Sequence, residues 1–107
     1  MIIVEKNQGT KIDWEQTGRK VCFDDDLTIN LAKRQEDWPV HIDVCFDRDQ
    51  NLVIGSAAGR AFVAELDIPA REYIYPDTPA DPDAESDPPT PVPLDMDKVT
   101  LSLWAID

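Results

Sequence analysis

Residues 40–54 read VHIDVCFDRDQNLVI, and this stretch decides the fold. Val40, Ile42, Val44 and Phe46 alternate with His41, Asp43 and Cys45, the period-two pattern of a strand with one face in a core. Asp47-Arg48-Asp49-Gln50-Asn51 supplies turn formers, and Leu52-Val53-Ile54 resumes a β-branched run, so the whole reads as a hairpin. A related string lies upstream. Val21-Cys22-Phe23-Asp24-Asp25-Asp26 matches Val44-Cys45-Phe46-Asp47-Arg48-Asp49, and each is followed by Leu-x-Ile once Gln50-Asn51 counts as an insertion. One reading is a duplicated hairpin; the plainer one, which we prefer, is that V-x-F followed by Asp is a common way of writing a hairpin.

The same alternation extends outward in both directions. Phe62, Ala64, Leu66 and Ile68 oppose Ala61, Val63, Glu65 and Asp67, while Val99, Leu101, Leu103 and Ala105 oppose Thr100, Ser102 and Trp104. Leu27, Ile29 and Leu31 alternate with Thr28, Asn30 and Ala32, a strand after the turn Asp24-Asp25-Asp26, and residues 2–5, 19–23 and 71–75 are further short strand candidates. Helix-forming composition is confined to Leu31 to Trp38, LAKRQEDW, which Pro39 closes after about two turns. The expected class is all-β: a small sandwich or partly open barrel of about seven short strands with at most one short helix.

Pro76 to Pro93, PDTPADPDAESDPPTPVP, holds seven of the nine prolines, five acids and no basic residue. Such a segment has little to bury against its ordering entropy, so a mobile, extended loop is expected over residues 76–93. The apolar strand that follows must pair with the body. This makes the loop an excursion before the last strand, inside one domain spanning residues 1–107, which is also what 107 residues allow.

The chain carries 22 acids against 10 Lys and Arg, a formal charge of −12; taking away the five acids of the loop leaves −7 on the rest. Affinity for phosphate backbones and anionic lipid comes from Lys and Arg, so direct nucleic-acid and membrane binding are not expected. No apolar run approaches the roughly 18 residues of a span, and Met1-Ile2-Ile3-Val4-Glu5 is charged too soon for a secretion signal, so a cytoplasmic location is expected.

Chemistry-bearing motifs are sparse. Cys22, Cys45 and the single His41 are too few for a closed structural zinc site, and reduced thiols are expected over a disulfide. His41 sits about 13 Å along its strand from Cys45, too far to activate it. Asp47-Arg48-Asp49-Gln50-Asn51 begins like a calcium loop, but Leu52 stands where Gly is needed and Ala58 where a closing carboxylate is needed. Paired carboxylates for glycoside hydrolysis lack an apolar setting except at Asp43. No cofactor or metal is therefore assigned, and no enzyme is expected.

What remains is a protein that acts by contact. Distributed carboxylates can steer association with a basic partner protein and can imitate a nucleic-acid backbone towards a nucleic-acid enzyme, as a phage-type inhibitor would. The alternative is an architectural subunit of a phage-like or other assembly, with exposed strand edges pairing between copies as a homo-oligomer or with another chain. Asp24, Asp25, Asp26, Asp47 and Asp49 are the expected contact residues, since two acidic turns after similarly written strands would lie at one end of the fold. Trp104 joins them: if its face is open, Trp104 and Ile106 form an apolar anchor.

Overall fold

The computed structural model describes residues 1–55, 61–76 and 88–106. Among these, ten strands form: β1 (Ile2–Glu5), β2 (Trp14–Thr17), β3 (Lys20–Phe23), β4 (Leu27–Asn30), β5 (Val40–Phe46), β6 (Leu52–Ile54), β7 (Ala61–Ile68), β8 (Tyr73–Ile74), β9 (Thr90–Pro91) and β10 (Thr100–Leu103). One four-residue helix, α1 (Leu31–Arg34), and a 3₁₀ turn, Met96–Lys98, complete the regular structure. The all-β class holds. The strands make three sheets, ordered β1-β10-β7-β5-β6, β2-β3-β4 and β8-β9, none closed into a barrel, so the described residues hold ten strands where about seven were expected.

Alternation places the core. In the five-stranded sheet, Ile42 and Val44 of β5, Leu66 and Ile68 of β7, and Leu101 and Leu103 of β10 are buried. They join Val21, Phe23 and Ile29 of the three-stranded sheet, Leu31 of α1, and Ile12, Leu94 and Val99 in one apolar cluster. Each fully buried Leu, Val or Phe contributes about 1.5–3 kcal/mol relative to exposure, so this shared cluster is what holds the two larger sheets together.

The ladder between β5 and β7 shifts register between Val44 and Cys45: Val44 faces Ala64, but Cys45 faces Phe62. Val63 is the extra residue of a β-bulge. Both Val63 and Ala64 are consequently buried, and Phe62 changes sides, leaving the face of Ala64 and Leu66 where strict alternation puts it. The twin hairpins are real in geometry. β3 pairs with β4 as Val21–Ile29, Cys22–Thr28 and Phe23–Leu27, and β5 pairs with β6 as Val44–Ile54, Cys45–Val53 and Phe46–Leu52. Cys22 and Cys45 occupy matching positions in different sheets and are free thiols.

The turns differ. Asp24 and Asp25 both have positive φ, 53° and 50°, and Asp26 N–H donates to the Phe23 carbonyl, a type I′ geometry that matches strand twist. In the longer turn Gln50 takes the left-handed conformation at φ 64°. The Asp47 carboxylate accepts the backbone N–H groups of Asp49 (2.8 Å) and Asn51 (2.9 Å). That side chain organises its own loop, which accounts for the D-x-D-x-N string without an ion.

Three expectations change. Asn30 caps α1 through a bond from Lys33 N–H (3.2 Å), but the helix stops at Arg34 and does not run to Trp38. The carbonyls of Gln35 and Glu36 instead accept from the Arg71 guanidinium and the Arg71 backbone N–H, and buried Gln35 donates to the Pro69 carbonyl (3.1 Å). Tertiary hydrogen bonds replace helical ones. Strand β2, WEQT, carries no apolar alternation and forms because β3 offers it a partner. Of the expected loop, Thr90–Pro91 returns as β9 beside β8, with Val92 N–H donating to the Glu72 carbonyl, and residues 77–87 lie outside the described ones.

Gln50→Gly relieves roughly 1 kcal/mol of left-handed strain at a cost of about 0.5 kcal/mol in unfolded-chain entropy. A net gain of about 0.5 kcal/mol is expected in urea denaturation. Gly18, at φ 61° with open space around its Cα, gives the opposite sign: Gly18→Ala should cost about 1 kcal/mol in the same measurement.

Candidate functional site

The outer face of the five-stranded sheet is built by register. His41, Asp43 and Cys45 share one side of β5, and Glu65 and Asp67 share one side of β7; His41 lies opposite Asp67, and Asp43 opposite Glu65. Two carboxylates directly across a ladder repel, so a cation is needed between them. His41 supplies it. Its Nδ1 lies 2.6 Å from the Asp67 carboxylate, and its Nε2 lies 2.8 Å from Asp43 and 3.3 Å from Glu65.

With carboxylate oxygens facing both ring nitrogens, the imidazolium is favoured. The Asp67 hydrogen bond raises the His41 pKa above 6.5, partial burial opposes it, and Asp43 adds to the rise. Cys45, buried behind Asp43, has its thiol pushed up by burial first and by Asp43 and Glu65 next, so it is a poor nucleophile.

β10 completes the face from the other side of β7. Trp104, just past its end, donates its indole N–H to the second Glu65 oxygen (2.7 Å) and tilts against Phe62, with ring centroids 6.2 Å apart. Phe62 reaches this partner because the bulge at Val63 turned it outward. Ile2 and Val4 of β1 pair with Thr100 and Ser102 and extend the apolar part of the face to the sheet edge. Ile2 is 51% exposed and Phe62 44%. Carboxylates and exposed apolar side chains therefore lie side by side on one surface that no other described element covers.

The acidic residues expected at a contact are exposed at Asp24, Asp25, Asp26 and Asp49 and half-buried at Asp47. The first three belong to the β3–β4 turn of the three-stranded sheet and the other two to the β5–β6 turn of the five-stranded one. Asp24 and Asp25 line a shallow acidic groove with Asp13, Trp14, Glu15 and Cys22. Trp104 is partly buried, and its neighbours are Phe62 and Glu65. His41, Asp43, Glu65 and Asp67 were missed as a group. The legible signal was H-x-D in one strand and E-x-D in another, each placing two β-disfavoured polar residues on the same side.

Because the folded-state pKa of His41 is raised, its protonation stabilises the fold below about pH 6.5, and that contribution is lost as pH rises through the folded value. In chelator-treated protein, NMR titration of this sole histidine should give a pKa above the ordinary histidine value of 6.5, and Asp67→Asn should bring it down. No match was found when the chain was compared with protein-family models, curated proteins and solved structures.

Proposed function

We infer that the chain is a non-enzymatic interaction domain that engages a basic protein partner, with the open face of the five-stranded sheet as the contact. The observation that supports this most is the juxtaposition of Phe62, Trp104, Ile2 and Val4 with Asp43, Glu65 and Asp67 on a sheet face that no other described element covers. An apolar centre bordered by carboxylates suits a partner strand or loop that alternates aromatic or aliphatic residues with Lys or Arg. The acidic turns at Asp24–Asp26 and at Asp47 and Asp49 add long-range attraction at a chain charge of −12. Imitation of a nucleic-acid backbone is the strongest form of the same proposal, in which the partner's Lys/Arg groove is one that normally holds nucleic acid.

A specific observation favours the architectural alternative. β1 is an edge strand whose Ile2, Ile3 and Val4 are 51%, 42% and 37% exposed. Its parallel ladder turns the N–H groups of Ile2 and Lys6 towards β10, so the backbone of Ile3 and Glu5 faces outward. Self-repulsion at this net charge works against pairing of two copies, which is why the basic-partner reading ranks first.

Both readings are testable on the whole chain. Titrating the isotopically labelled protein with a synthetic peptide that alternates lysine and leucine should shift the Trp104 indole and the Phe62 and Glu65 amides most, with affinity falling as salt rises. Asn at positions 24, 25, 26, 47 and 49 together should slow association, whereas Phe62→Ala should speed dissociation. Salt-independent binding, or shifts confined to the turns, would overturn the sheet-face contact. A concentration-dependent rise in sedimentation mass that Ile3→Lys abolishes would favour the architectural reading instead.

A further inference from the structure

His41 Nε2, a carboxylate oxygen of Asp43 and one of Glu65 lie within 4.8 Å of one another. We propose that these three side chains form a binding site for a divalent cation of the zinc class, independent of whether the sheet face docks a protein.

The donor set makes the choice among cations. An imidazole nitrogen with two carboxylates suits zinc and its first-row neighbours, whereas calcium and magnesium are held by oxygen alone. Spacing agrees with this. Zinc bonds to nitrogen and oxygen run about 2.1 Å, so neighbouring ligands in a tetrahedral shell stand about 3.4 Å apart. His41 Nε2 already lies 2.8 Å from Asp43 and 3.3 Å from Glu65. Small rotations of carboxylates that are only partly covered make up the remainder.

Two outer contacts orient these donors as metal sites require. Asp67 accepts from Nδ1 at 2.6 Å, which fixes the imidazole tautomer and turns Nε2 towards Asp43 and Glu65. The Trp104 indole N–H holds one Glu65 oxygen at 2.7 Å while the other, Oε1, faces His41. Asp67 and Trp104 are thus positioning residues. Without an ion, Nε2 can satisfy the two carboxylates only by carrying a proton, and zinc takes that place with the loss of that proton to solvent. Three protein ligands leave a fourth position to water, and the His41 side chain, 47% exposed, leaves the site accessible. The acidic turns have no comparable arrangement, since they contain no histidine and Asp47 is bonded to its own loop.

The test is zinc titration of the intact chain by calorimetry. One saturable site is expected, with affinity reduced by about ten- to 100-fold in Asp67→Asn, by more in the ligand variants His41→Asn and Glu65→Gln, and unchanged in Cys22→Ser. Nitrogen-15 spectra of the single imidazole should show Nε2 shifting on zinc addition while Nδ1 keeps its proton, a readout that needs no variant. Zinc binding unaffected by the three substitutions, or an imidazole spectrum unchanged at saturating zinc, would overturn the site. So would the lack of any saturable binding up to millimolar zinc.

Discussion

The register of β5 on β7 is the constraint on which the rest of the molecule depends. These two strands lie at the middle of the five-stranded sheet, with β6 and β10 on their outer sides. A slip by one residue would carry Ile42, Val44, Leu66 and Ile68 out of the core and bring His41, Asp43, Glu65 and Asp67 into it. Burying four titratable groups would cost far more than the apolar burial returns, so the register is strongly specified. One alignment therefore makes the core on one side and the charged cluster on the other.

The bulge at Val63 adds a second consequence to the same ladder. It lets β7 bury two successive residues, Val63 and Ala64, and it sends Phe62 to the face where Trp104 lies. Without it Phe62 would fall on the core side and Trp104 would lack its aromatic partner. With it, an aromatic pair stands beside the carboxylates, and the indole N–H ties the two together through Glu65. Apolar contact area and negative charge then belong to one surface, which is the chemistry that a basic partner with hydrophobic residues would recognise.

Charge on this face is balanced locally. His41 offsets three carboxylates whose own repulsion across the ladder would otherwise weaken the pairing of β5 and β7. At the proposed cation site, a proton and a divalent cation would compete for the same role at Nε2. The net charge of the face would then depend on the occupant of that site. Elsewhere the acids serve other ends: Asp47 builds a turn, Asp24 and Asp25 adopt left-handed backbone in another, and Asp37 pairs with Arg71 where the chain after α1 meets the segment before β8.

Much of the fold is legible in the residue order, because a half-buried strand must alternate. Val40 to Phe46, Leu52 to Ile54 and the final run to Leu103 all announce themselves in this way, as do the two acidic turns between hairpin partners; the alternation from Leu27 runs to Ala32, but the strand ends at Asn30, where α1 begins. Where the local pattern is silent or misleads, a distant partner has intervened. Arg71 and Pro69 end the helix at Arg34 through hydrogen bonds to Gln35 and Glu36, β3 recruits the polar WEQT segment, and the bulge reverses the side of Phe62. The histidine–carboxylate cluster is the clearest case. Alternation alone puts His41 beside Asp43 and Glu65 beside Asp67, but bringing the pairs together needs an antiparallel register that joins residues 22 and 26 positions apart, and that register is set by how the apolar faces pack, not by the charged residues themselves.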